Sequence, residues 1–271
     1  MTKKTWIAGG TVLILVLLVL TVVIATTGRD EQTTPSAPSS EPSPAPSAPA
    51  AQPGRVTSDL VGRQVSIVDA PAGQPLDQTG EPSAFPTGTD VVAAPAGLEL
   101  QQVPSGVTVM VSPSDGPTGT EQGVLTGYAH SPTGAAVLTA NYIALGIELG
   151  PAYADFLDRY ARELVAEDPT VIEEIRARGH ANDGSALPAA EGFVAPRWFR
   201  FSNCTPEFCT VEAAMPSVAD AVGQVDTIDI SATAHPVVRV SMKWDDEQWQ
   251  ILSGRSLPPI EEIDGSWAQW N

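Results

Sequence analysis

The chain has 271 residues, with 14 basic against 32 acidic side chains and a net charge of −18. That balance repels phosphate backbones and anionic headgroups, which argues against nucleic-acid binding. Beyond Lys3 and Lys4 the sole lysine is Lys243, with no Ser-x-x-Lys spacing, and His130, His180 and His235 are too far apart to share a helical turn. Lysine-based acyl transfer and zincin-type metal chemistry are therefore not expected, and no cofactor is implied.

Lys3 and Lys4 lie in a short stub, residues 1–5, ahead of an uncharged run over residues 6–26. The run is long enough for one helical crossing of a bilayer. With the first following basic residue at Arg29, the positive-inside bias predicts a cytoplasmic N-terminus. The expected location is thus the cell membrane, single-pass, with the C-terminal domain extracytoplasmic. Val23 stands where a cleaved signal peptide wants a small residue, which favours a retained anchor. Residues 27–54 hold seven prolines between Pro35 and Pro53 and no aromatics. Such a tract buries too little surface to fold and is expected to be a disordered linker.

Residues 55–127 are rich in Gly and Pro, with strand-like runs at 64–68, 98–103 and 107–111, and read as an extended β arm. The pattern then becomes helical. Ser131 is a good N-cap with Pro132 at the first helical position, and the helix that follows is apolar on nearly every side, hence central and buried. Gly150 and Pro151 separate it from a second helix, whose stripe is Tyr153, Phe156, Leu157, Tyr160, Ala161, Leu164 and Val165. A third, short helix opens at Asp168 and Pro169, carries Val171, Ile172 and Ile175, and stops at Gly179.

The C-terminal part is β. A strand around Trp198, Phe199, Arg200, Phe201 and Ser202 turns through Cys204 and Cys209 into a second strand. After a looser stretch, Val238, Val240, Met242 and Trp244 form one face of a strand, Asp245, Asp246 and Glu247 turn, and Trp249 and Ile251 return. A tail, residues 255–271, carries Trp267 and Trp270.

Cys204 and Cys209 are the only cysteines. Their spacing of four, in a strand context with a proline between them, favours a structural disulfide over a redox pair. The loop is short, so the expected stabilisation is about 2 kcal/mol. Tyr142, Tyr153 and Tyr160 lie on the two long helices as candidate pocket groups or, more simply, core residues. His130 is a candidate general base near Tyr128, or orders the helix entry. Asp155 and Asp158 share a helix face with Arg159 and Arg162, which reads as a solvated salt-bridged surface rather than a cation site. Asp220, Asp226 and Asp229 lie too sparsely for a calcium loop. No catalytic or metal-binding residue is assigned. Trp267 and Trp270 either cover the sheet of their own domain or serve as contacts for a partner.

Three helices followed by antiparallel strands, closing in V-x-V-x-M-x-W-D-D-E-x-W-x-I (residues 238–251), resemble the NTF2-like α+β fold. The segment GYAHSPTGAAVLTAN (residues 127–141) is similar to a stretch of actinobacterial single-pass envelope proteins that carry an anchor, a Pro-rich linker and a VirB8-like or NTF2-like domain, some linked to conjugative transfer. The resemblance implies an N-terminal transmembrane helix, a disordered Pro-rich linker, and an NTF2-like domain at residues 128–254 in which three helices pack on a curved antiparallel sheet. It also implies a non-catalytic scaffold or interaction role in an envelope assembly such as a conjugation or secretion complex. The expected partners are the membrane, through the single span, and other envelope proteins, further copies of the chain among them. Two alternatives stand beside it: a cone that holds a small apolar ligand or cell-wall fragment, and an NTF2-like isomerase or hydrolase. What fills the cone separates them, because a ligand site needs an open cavity with a few convergent polar groups.

Overall fold

The Gly- and Pro-rich arm folds into a sheet rather than running loose. A computed structural model of the chain describes residues 55–87, 91–148, 150–181, 195–217 and 233–271, and Arg55–Asn271 forms one unit. Strand β1 (Arg55–Ser58) pairs antiparallel with β2 (Gln64–Ile67), β2 runs parallel to β3 (Glu99–Gln102), and β3 pairs antiparallel with β4 (Thr108–Val111). A small hairpin, β5 (Gly119–Glu121) and β6 (Val124–Thr126), leads into the helices.

Helix α1 (Pro132–Glu148) is followed by α2 (Pro151–Tyr160), α3 (Arg162–Glu167) and α4 (Pro169–Ala181). The last sheet is antiparallel throughout: β7 (Trp198–Ser202), β8 (Phe208–Ala214), β9 (His235–Asp245), β10 (Gln248–Ile260) and β11 (Ala268–Gln269), in the order β10-β9-β8-β7-β11. The class is α+β, but the architecture differs from the expected three helices on one curved sheet, since four helices and three sheets are present among the described residues.

One added helix comes from a break in the stripe that starts at Tyr153. At Ala161 the backbone leaves helical geometry (φ −135°, ψ 37°). Groups at the break find partners elsewhere: Gln250 Nε2 donates to the Arg159 carbonyl at 3.0 Å, and the Tyr160 hydroxyl donates to the Leu125 carbonyl at 2.9 Å. A helix end can be buried only when its freed groups are satisfied in this way.

The expected membrane span is also corrected. Among the described residues no helix is long and apolar enough to cross a membrane. The longest, α1, has 17 residues, a rise of about 25 Å against a hydrocarbon core of about 30 Å. Residues 1–5, 6–26 and 27–54, read as stub, anchor and linker, lie outside the described residues. No described element therefore supports a single-pass protein with an extracytoplasmic domain.

Helix α1 is central, as its apolar sequence implies. Ala135, Ala136, Val137, Leu138 and Ala144 are inaccessible to solvent, and the helix lies against β4 on one side and β8 on the other. Its one buried amide has a specific task. Asn141 Oδ1 accepts from the Met110 backbone N–H at 2.7 Å, and its Nδ2 donates to the Met110 carbonyl at 3.0 Å and to the Tyr128 hydroxyl at 3.0 Å. Strand β4 ends its sheet, so its outward backbone groups would otherwise be stranded in the core. The arm thus shares one core with the helices and the large sheet.

The large sheet buries both faces, unequally. Phe199, Val211, Ala213, Val240, Met242, Trp249 and Ile251 face the helices. Trp198, Ala214, Val237 and Trp267 form a smaller cluster on the reverse. The tail supplies both sides because β11 alternates: Trp267 lies with the reverse cluster, whereas Trp270 joins the main core and packs on Phe199 with ring centroids 4.1 Å apart.

Two outcomes test this packing. Asn141→Leu leaves two buried backbone groups unpaired and should cost about 3 kcal/mol in urea denaturation. The second concerns the tyrosines, all four of which burial pushes up: Tyr128 and Tyr153 well above the usual value, Tyr142 above it, and Tyr160 to about 12. Unfolded tyrosines ionise near pH 10. The folded state therefore favours the neutral phenols, and their contribution is complete below about pH 10 and lost as pH rises through about 12. Tyrosinate absorbance should rise together with loss of far-ultraviolet circular dichroism in that window, and ionisation of all four at pH 10 with the fold intact would contradict this packing.

Candidate functional site

The entrance to α1 gathers the least ordinary side chains of the protein. The Asp115 carboxylate is buried, at 1 % exposure. Its Oδ1 accepts from Ser131 Oγ at 2.5 Å, from the Ser83 backbone N–H at 3.1 Å, and from the Thr133 hydroxyl; its Oδ2 accepts from Ser114 Oγ at 2.6 Å. Ser131, the expected cap, accepts from the Gly134 N–H at 2.9 Å. Asp115 thus sits at the positive end of the helix and binds the cap itself. Two glycines let the chain close here. A Cβ on Gly134 would lie 2.3 Å from the Ala129 carbonyl oxygen, and Gly127 has φ +77° with a Cβ position 1.9 Å from Thr118 Oγ1.

Beside this knot lies a hollow of about 380 Å³ lined in part by Ser83, Phe85, Val92, Ser114 and Asp115. Its polar groups are already committed to one another. Asp115 has donors on both oxygens, so the arrangement is suited to holding the arm against α1 rather than to proton transfer.

The surface next to the knot is different. His130 is exposed, and its ring stacks on Trp244 with centroids 4.1 Å apart and planes at 15°. Phe85 meets its edge at 5.5 Å and Trp249 at 5.8 Å. The Pro206 carbonyl can only accept, so its 2.5 Å contact places the ring proton on His130 Nε2. Trp249 anchors the platform from below, with Nε1 donating to the Ala129 carbonyl at 2.9 Å. Pro206 is at the tip of the β7–β8 hairpin, which the Cys204–Cys209 disulfide closes with a Cα–Cα distance of 4.0 Å. The Trp244 N–H also donates to the Glu207 carbonyl at 2.9 Å. Three segments distant in sequence therefore meet at His130.

Carboxylates rim this platform. Glu207, Asp245, Asp246 and Glu247 are all exposed. Asp245 pairs with Lys243 at 3.1 Å and Asp246 with Arg162 at 4.0 Å, and Glu207 and Glu247 meet no cation among the described residues. Asp246 and Glu247 have φ of 48° and 62°. A two-residue turn with both centres left-handed is normally Asn-Gly, and here it carries two acids instead.

The other sequence candidates have different places. Tyr128 points inward to Asn141 and Tyr160, away from His130, so the two do not form an acid–base pair. Tyr142, Tyr153 and Tyr160 pack with Phe156 in the core. Asp155 and Asp158 both reach Arg176 of α4, at 3.4 Å for Asp155, rather than Arg159 or Arg162. Asp220, Asp226 and Asp229 lie outside the described residues. Trp267 and Trp270, considered as partner contacts, are 7 % and 0 % exposed and cover their own domain. Phe85 and Asp115 escaped sequence reading, because both lie in a Gly- and Pro-rich arm without periodicity.

A family model described as a domain of unknown function (DUF8175) matches residues 66–266. No curated protein and no solved structure matches the chain.

The knot predicts a graded response. Asp115→Ala strands several buried donors and should cost about 4 kcal/mol, whereas Asp115→Asn keeps one carbonyl acceptor and should cost about half of that. Equal losses in denaturant titrations of the two variants would show that the hydrogen bonds are not what matters.

Proposed function

The chain belongs to the DUF8175 domain family, and we propose that it is a non-catalytic interaction module that docks a partner protein on the aromatic platform around His130. One observation carries this reading: exposed His130, stacked on Trp244 and edged by Phe85, is held in place by the α1 entrance, the disulfide hairpin and the β9–β10 hairpin together. Rigid, partly exposed aromatic rings cost little entropy to bury and are the usual anchors of protein interfaces.

The filling of the space between the large sheet and the helices supports the same reading over a ligand-holding cone. Trp249, Phe156, Tyr160, Phe199, Met242 and Ile251 occupy it, all nearly inaccessible. A small-molecule site would need that volume open. The sequence resemblance suggests a conjugation or secretion complex as the assembly served.

In-cell crosslinking of the full-length chain, compared with His130→Ala and Trp244→Ala, tests this. The wild-type chain should capture a reproducible partner that both variants lose while keeping their circular dichroism. Capture of no partner, or capture that neither variant changes, would sink the reading.

A further inference from the structure

The platform lies in a field of negative charge. Lys3, Lys4 and Arg29 offset Asp30, Glu31 and Glu41, so the net charge of −18 falls wholly on Arg55–Asn271. Close to the platform the few cations are already engaged: Lys243 by Glu163 at 2.9 Å and by Asp245, and Arg162 by Asp246. Glu207 and Glu247 are left over, one on each hairpin that flanks Trp244. The turn between β9 and β10 holds its two acids in a left-handed conformation better suited to Asn and Gly. That sequence choice gives nothing to the hairpin itself, and it places two carboxylates at the edge of the aromatic rings.

We propose that the platform binds a short Arg- or Lys-bearing segment of a partner protein, with the aliphatic stems and cationic heads over Phe85, His130 and Trp244 and the charges met by Glu207 and Glu247. This rests on the interaction-module reading and names its partner's chemistry. Aromatic faces attract organic cations, guanidinium above all. A cation seated there meets free carboxylates rather than displacing existing pairs. The overall negative field attracts such a segment from a distance and makes its association salt-sensitive.

The probe is a fluorescent tetra-arginine peptide, followed by anisotropy on the full chain at low salt. Glu207→Gln/Glu247→Gln should weaken binding about tenfold, the sum of two modest charge contacts. Glu261→Gln/Glu262→Gln removes the same charge from exposed positions beyond the far end of β10, and should change binding less than about twofold. Equal weakening by both pairs would reduce the effect to net charge and overturn the proposal, as would absence of binding by the wild type. The same Gln pair in the crosslinking assay separates the two readings. A partner lost with His130→Ala yet kept with Glu207→Gln/Glu247→Gln leaves the interaction module standing and refutes the basic segment. A partner kept by every variant refutes both.

Discussion

Burying α1 on all sides removes solvent as a partner for its polar groups, and the structure is organised around supplying substitutes. At the entrance the substitute is Asp115, which receives hydroxyls from both the cap and the arm. In the middle it is Asn141, whose amide completes the free edge of β4. These contacts turn a Gly- and Pro-rich segment into a second sheet packed on the helices. An unpaired buried polar group costs as much as several apolar contacts contribute, so such pairings decide which packing is allowed.

The platform depends on the same constraint. His130 follows directly from the loop that Gly127, Ala129 and Gly134 bring close to itself, and Ala129 gives its carbonyl to Trp249. The disulfide hairpin then meets His130 through Pro206. A surface assembled from three elements is stiff only if each is fixed by its own core contacts, and each is. Trp249 is fully buried, Cys209 is fully buried, and the α1 entrance is tied to Asp115. Preorganisation of this kind reduces the entropy lost when a partner docks.

Much of the local structure was legible in advance because its signals are local. Ser131 and Pro132 mark the start of α1, the apolar stripe marks α2, and alternation from Val238 to Trp244 marks β9. The short span between Cys204 and Cys209 made their disulfide readable. The candidate site was less legible. His130 stood out by type, but its partner does not: Tyr128, one turn of sequence away, faces the core, whereas Trp244 lies beside it only through sheet formation. Phe85 and Asp115 sit in irregular segments whose role depends on what they touch.

By itself the sequence determined the α+β class, the acidic surface, the helix starts, the closing hairpin and the disulfide, because periodicity, capping and chain proximity act over a few residues. Tertiary structure alone decided the break at Ala161, the parallel pairing of β2 with β3, the inward turn of Trp270 and the meeting of Phe85, His130 and Trp244. Each of these joins segments far apart in the chain, and its free energy comes from satisfying buried groups that no local pattern records.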